Sequence, residues 1–379
     1  MTALHVCFVA VNIYPVLAGD PRIAFVGGAE VQQSVQMRAL QRAGCRISVL
    51  TRDHGQDEVV DCDGIAVHRI PDVAGRGLPG MRFLYPRMTD VVKALARLSP
   101  DVVFVQMAGE QVAAAALYAR LFNKRFVYAG ASDPDFGPGP LPSMPPQHAW
   151  LYRMGLRAAD EVVVQNMAQL TALRRHYRRS GHLIQNGYAE PDAQPGDFDG
   201  HVLWSATVKQ LKRPELFVEL ARRLPHRRFV MVGGPGLAPD SHATFASVSR
   251  AARVLPNLRM TGHVPFRQVG THFDGAALSV NTSDYEGLPN TFMQAWLRGI
   301  PTVSFVRPES APGRSGTLAC ASLEAMVRQV DRLLGSREAW QAASLASRRF
   351  FDEHHRLERA VERYLDVFGR PEAAQAAAA

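Results

Sequence analysis

Residues 276–306 leave the chain little choice of fold. The run Ala-Ala-Leu-Ser-Val at 276–280 is short and apolar, as a buried strand should be, and Thr-Val-Ser-Phe-Val at 302–306 reads as the next. Between them a helix is marked at both ends. Pro289 suits a first helical position, and Gly299 followed by Pro301 stops the helix. Two apolar strands joined in this way form a β-α-β unit of a parallel sheet. The turn before the helix carries an acid, Glu286, with Gly287 and Leu288, and the N–H groups of Asn290 and Thr291 have no intrahelical acceptor. Such a helix start favours phosphate oxygens, because free N–H groups and the helix dipole both point at them. Gln294, about one and a half turns further on, can face the same ligand. Gly and Pro also punctuate β-α-β connections that bind nothing.

The same alternation runs through the rest of the chain. Residues 4–11 are a continuous apolar run, as a central parallel strand requires. Gly27 and Gly28 then precede a helix over 29–43, and a strand follows at 46–51. Further strands are expected at 64–70, 101–106, 124–129 and 161–165, with helices at 88–98, 111–122, 147–158 and 167–177, the last capped by Asn166. Residues 189–200 are rich in Pro, Gly and Asp and poor in core residues, which marks a domain boundary. A strand resumes at 201–206, residues 209–214 open a helix running to 223, and a strand at 228–234 and a helix at 323–334 follow. A last helical pattern over 340–365 has a break near Asp352, and the alanine-rich tail from Pro371 is expected to be disordered. The expected organisation is a Rossmann-like domain over 1–189, a second over 200–350, and a C-terminal helix at 351–369.

At 379 residues the chain has room for two cores. No apolar run reaches the roughly 18 residues that a membrane-spanning helix needs. Cys7, Cys45, Cys62 and Cys320 are scattered without metal-ligand spacing, which fits a reduced, cytoplasmic setting. A net charge of +8 suits an anionic partner, a nucleotide sugar or an acidic membrane surface. No basic recognition helix or aromatic RNA-binding motif accompanies it, so nucleic acid is not expected. Arg174, Arg175, Arg178 and Arg179 form a basic run at a helix end, read either as a solvated face or as attraction to anionic lipid at the inner membrane face. The dinucleotide Gly-x-Gly-x-x-Gly pattern is absent, which disfavours a nicotinamide dehydrogenase.

Residues 286–294 (Glu-Gly-Leu-Pro-Asn-Thr-Phe-Met-Gln) followed by 295–301 (Ala-Trp-Leu-Arg-Gly-Ile-Pro) resemble the signature of the family 4 retaining glycosyltransferases. That resemblance implies the GT-B fold, two doubly wound α/β domains facing across a cleft, with the C-terminal helix at 351–369 crossing back to the first. It also implies transfer from a nucleotide-diphosphate sugar with retention at the anomeric carbon, to a lipid-linked glycan, polysaccharide or other cell-envelope acceptor. Here the first acid of a Glu-x7-Glu pattern, which contacts the donor sugar, is Glu286. The second, which holds the ribose, is replaced by Gln294, whose amide can still accept from a hydroxyl. The family's glycine loop near the donor phosphates maps onto Gly27 and Gly28, which without that context read as a turn.

The family's diphosphate Lys is matched by Lys212. Its Arg partner falls at Ala206 or Thr207, where no Arg stands, and Lys209 or Arg213 could substitute. Gly234 ends a strand on the ligand edge, and His263 lies in the segment that meets the base; a lone His is also a common turn residue. Family members often carry a His after the strand at 124–129, and here Ser132, Asp133 and Asp135 stand nearby. Asp133 reads either as a group that bonds a sugar hydroxyl or stabilises an oxocarbenium-like ring, or as part of an Asx-type turn. The resemblance makes Glu286, Asp133 and Lys212 the catalytic candidates. The resemblance implies no essential metal and no further cofactor. Two other readings stand beside it: a GT-B protein that binds a nucleotide sugar without transfer, and a GT-B sugar-nucleotide epimerase, which needs acid and base residues flanking the sugar where no clear pair stands.

Overall fold

The computed structural model describes residues 3–19, 27–71, 77, 81–139, 141, 144–236 and 238–369. The alanine-rich tail and much of the loop before Gly27 lie outside them. The described chain divides into two compact units. One holds the residues up to 186 together with those from 357 onward, and the other holds 187–356.

The first unit is built on eight strands, β1 (His5–Val9), β2 (Arg46–Arg52), β3 (Val59–Cys62), β4 (Ile65–Ile70), β5 (Val102–Gln106), β6 (Arg125–Ala129), β7 (Glu161–Val164) and β8 (His182–Leu183). They lie in the order β3-β4-β2-β1-β5-β6-β7-β8. All pairs are parallel except β3 with β4. The continuous apolar run at the start of the chain now has its reason. Cys7 and Val9 enter the core on one face of the sheet, while Val6 and Phe8 enter the core on the other.

The second face is closed by the helix Leu357–Phe368. It buries Leu357, Ala360, Val361, Tyr364, Val367 and Phe368, a 3.6-residue stripe. Its Tyr364 and Phe368 rings meet Phe104 edge-on, each with centroids 5.7 Å away. The break before this helix falls at His355, after the helix Arg337–His354.

The second unit carries β9 (Val202–Ser205), β10 (Phe229–Val232), β11 (Leu258–Gly262), β12 (Leu278–Asn281), β13 (Thr302–Ser304) and β14 (Thr317–Ala319). All are parallel, in the order β11-β10-β9-β12-β13-β14. The Pro- and Gly-rich stretch expected as a linker is bonded into this unit. The Gly196 N–H donates to the Arg298 carbonyl at 2.9 Å, and the Gln194 N–H donates to Asp274 Oδ1 at 3.0 Å.

Candidate functional site

Counted within the second unit, the strands run 3-2-1-4-5-6, so the chain winds away in both directions from the β9–β12 pair. Loops leaving the carboxyl ends of two such strands part to opposite faces and open a crevice there, where open parallel sheets bind ligands. The loop after β9 carries Lys209, Lys212 and Arg213. The loop after β12 carries Asp284, Glu286, Gly287 and Leu288.

Several bonds fix these two loops to one another. The Trp204 indole donates to Thr282 Oγ1 at 3.0 Å, and that hydroxyl donates to the Lys212 carbonyl at 2.7 Å. The Asp284 N–H donates to the Leu211 carbonyl at 3.1 Å, and Arg213 pairs with the Asp284 carboxylate at 3.2 Å. Arg213 is thereby occupied at the rim. Ala206 and Thr207, where the Arg of the diphosphate site was sought, offer no charge. Lys212 lies in a short 3-10 turn, Gln210–Lys212, and the following helix begins only at Pro214.

The centre of the arrangement is a direct bond from Lys212 Nζ to Glu286 Oε1, with both side chains largely buried. The same oxygen accepts from Ser283 Oγ at 2.6 Å and from Asn281 Nδ2 at 3.4 Å. Among the described residues Oε2 takes no hydrogen bond, so one carboxylate oxygen is held and the other is available. Lys209 stands close by. Burial lowers its pKa first and Lys212 lowers it further, against weaker support from Glu286 and Asp240.

The helix Asn290–Leu297 starts one residue later than expected. Pro289 has a helical φ of −62° but an extended ψ of 135°, so it stands at the cap and Asn290 is the first helical residue. The cap residue Pro289 makes no side-chain bond and no acid lies in the first turn, so the positive end of the dipole meets no carboxylate of its own helix. Leu288 is buried in a cluster with Phe292, Trp296 and Phe350, which anchors the turn and leaves Gly287 beside Glu286.

Gln294 faces inward and is 2% exposed. Its Nε2 donates to the Tyr188 hydroxyl at 3.0 Å, and that hydroxyl donates to Glu190 Oε2 at 3.2 Å. Glu190 is held in turn by Arg298, whose side chain is fully buried and also binds Asp274 at 2.7 Å. Burial works against the charge on Arg298, but the bonds to Glu190 and Asp274 prevail and raise its pKa. None of Tyr188, Glu190 and Arg298 was singled out from the sequence. Only the apolar setting of Arg298 between Leu297 and Ile300 hints at a buried charge.

Gly234 and His263 come together at the carboxyl ends of β10 and β11. A Cβ on Gly234 would stand 2.8 Å from the His263 Cβ, so glycine is what lets the two backbones approach. His263 itself is exposed.

The remaining candidates belong to the first unit. Gly27 is the N-cap of the helix Gly28–Arg42, and a Cβ there would overlap the carboxylate of Glu30, which folds back over it. Asp133 opens the 3-10 turn Asp133–Phe136, capped by Ser132 and Asp135 in a capping box. Its Oδ1 accepts from Asn166 Nδ2 at 3.0 Å and Gln169 Nε2 at 3.1 Å, while the residue as a whole stays exposed. Arg174, Arg175 and Arg178 are exposed. Arg179 instead donates to the carbonyls of Leu156, Arg157 and Asp160 and closes the end of the helix Pro146–Ala158.

Among the described residues no three His, Cys, Asp or Glu side chains are grouped to hold a metal ion. Among them, too, no helix is long and apolar enough to cross a membrane.

Two parallel-sheet α/β units, the second with a Lys–Glu pair at its switch point, define a protein of the GT-B class. Comparison with known proteins gives the same class. A family model described as glycosyl transferase 4-like domain matches residues 27–189, and one described as glycosyl transferases group 1 matches residues 200–336. The chain is a glycosyltransferase of the GT-B type.

Solved structures share the fold at low identity. Sucrose-phosphate synthase from Thermosynechococcus elongatus is 14% identical with a TM-score of 0.76, covering 98% of this chain and 100% of its own. The catalytic domain of starch synthase IV from Arabidopsis thaliana, bound to ADP and acarbose, is 14% identical with a TM-score of 0.68, covering 97% and 99%. HepE of Anabaena, in complex with UDP-glucose, is 13% identical with a TM-score of 0.67, covering 96% and 100%. No curated protein sequence matches the chain.

Proposed function

We propose that the protein transfers a sugar from a nucleotide-diphosphate sugar to a glycan or lipid-linked acceptor, with retention of anomeric configuration, in the manner of family 4 and without an essential metal. The observation that carries this reading is the Lys212–Glu286 bond across the β9–β12 switch point. The UDP-glucose complex of HepE and the ADP complex of starch synthase IV support a nucleotide-sugar donor.

In this reading the donor diphosphate lies at the start of the helix Asn290–Leu297, where N–H groups and dipole favour negative charge. Lys212 has three N–H donors and can turn from Glu286 toward a phosphate oxygen as charge develops on the departing diphosphate. Lys209 adds a second positive charge where the family carries an Arg. Glu286, fixed at Oε1 by Ser283 and Asn281, offers Oε2 to a hydroxyl of the transferred sugar. Gln294 takes the ribose, and His263 and Gly234 border the base. Gly27, Gly28 and Asp133 are the first unit's own candidates for contacts to phosphate and sugar. The exposed Arg174, Arg175 and Arg178 attract an anionic membrane surface, and cell-envelope glycan synthesis on the cytoplasmic side is the setting this implies.

A second reading, binding of a nucleotide sugar without transfer, is favoured by the commitment of the Gln294 amide to Tyr188 and by the missing Arg at Ala206 and Thr207. A thermal-shift screen of UDP-, GDP- and ADP-sugars identifies the donor, since a ligand bound only by the native state raises its stability. Release of nucleoside diphosphate from that donor then separates transfer from binding. A screen in which no nucleotide sugar raises the melting temperature contradicts both readings.

A further inference from the structure

At the amino ends of β9, β10 and β11, the opposite end of the sheet from Lys212 and Glu286, the second unit has a concavity of about 490 Å³. Four basic side chains line it: His201 just before β9, Arg228 just before β10, Arg259 within β11, and His272 in the turn that follows. Phe229 and Leu258 border it but are themselves buried in the core. His201 Nε2 bonds the His272 carbonyl at 3.1 Å, which fixes the proton on that nitrogen and leaves Nδ1 as an acceptor in the neutral ring.

This group carries no counter-charge of its own. Several other arginines of the unit are paired with acids, Arg298 with Glu190 and Asp274, Arg213 with Asp284, and Arg337 with Asp199. Among the described residues no carboxylate lies within ion-pair distance of His201, Arg228, Arg259 or His272. Arg228 spends one nitrogen on the Asp199 carbonyl and keeps the rest of its fork. Burial lowers the pKa of both rings. Arg228, His272 and Arg259 press His201 down further, and Arg259 does the same to His272.

We propose that this concavity binds a phosphate monoester, a phosphorylated small molecule, at a site separate from Lys212 and Glu286. The volume falls within the roughly 300–1,000 Å³ of small-molecule sites. Two guanidinium forks match a phosphate dianion, and its arrival favours the charged form of both rings. Binding therefore tightens as the rings gain protons and weakens once the phosphate dianion itself takes up a proton near pH ~6.

The test uses the full-length protein and the C2–H resonances of His201 and His272, assigned with His201→Asn and His272→Asn. Glucose 6-phosphate is titrated against glucose at matched ionic strength. The expected result is that glucose 6-phosphate moves both titration curves upward by about half a pH unit or more. Glucose leaves them in place. Arg228→Gln combined with Arg259→Gln, two exposed positions, weakens the response about tenfold or more. Curves unmoved by saturating glucose 6-phosphate overturn the proposal, as does an undiminished response in the double variant. Shifts produced by vesicles of anionic phospholipid but not by glucose 6-phosphate also overturn it, because the partner is then a membrane surface.

Discussion

The amide of Gln294 donates to the hydroxyl of Tyr188 at 3.0 Å, and the hydroxyl passes its own proton to Glu190. This explains an amide where the family has an acid. The hydroxyl has one proton, already given to Glu190, so residue 294 must donate. A carboxylate there would confront Glu190 across one hydroxyl with no proton to separate them.

Gln294→Glu is therefore expected to destabilise the second unit by about 1–3 kcal/mol at neutral pH. The loss should shrink as pH falls and one of the two carboxylates takes up a proton. Urea unfolding at several pH values measures it. A Gln294→Glu variant as stable as the parent at neutral pH contradicts this explanation.

Lys209 gives a pH dependence with a definite sign. Burial and Lys212 hold its pKa below the ordinary lysine value of 10.5. In the proposed donor site the charged form binds diphosphate, so donor kcat/KM falls as pH rises through the lowered pKa. Lys209→Arg keeps its charge throughout and should flatten that alkaline limb. A limb at the same pH in parent and variant assigns the titration to another group.

His5 reports on the first unit. It is buried beneath the sheet, bonded to Ser48 Oγ at 2.8 Å, and its pKa is lowered from 6.5 to about 4, chiefly by burial and then by Arg46. The folded form thus binds fewer protons than the unfolded chain between these values. The stability that His5 contributes is complete above pH 6.5 and is lost as pH falls toward 4, by up to about 3 kcal/mol. His5→Gln, which keeps a bond to Ser48, should lessen the acid destabilisation of the first unit. Identical acid unfolding midpoints in parent and variant would count against it.

How much of this was legible in the sequence depended on whether a residue's role is local. The strands at 4–11 and 101–106 are apolar because both faces of the sheet are covered, and that requirement is written in consecutive residues. The Asn166 cap, whose side chain accepts from the Gln169 N–H at 2.8 Å, is equally local. The hairpin strand β3 was missed because Val59–Cys62 is partly exposed and mixes Asp with Val and Cys. Lys212 and Glu286 could be singled out one at a time, but not their bond, which joins loops 74 positions apart. Thr282, which ties Trp204 to the Lys212 backbone, shows no sequence signal because a buried Thr in a strand end is commonplace. Tyr188, Glu190 and Arg298 lie on three segments that meet only after folding. Their network decides why residue 294 is Gln.

The most direct test of the Lys212–Glu286 centre is nucleoside diphosphate release from the donor chosen by the thermal-shift screen. It is measured for the parent protein, Lys212→Met and Glu286→Gln, each checked for an unchanged melting temperature without ligand. The account predicts that kcat/KM falls about 100-fold or more in each single variant. It also predicts that the double variant loses much less than the product of the two, as coupled neighbours do. Turnover at the parent rate in both single variants would contradict it.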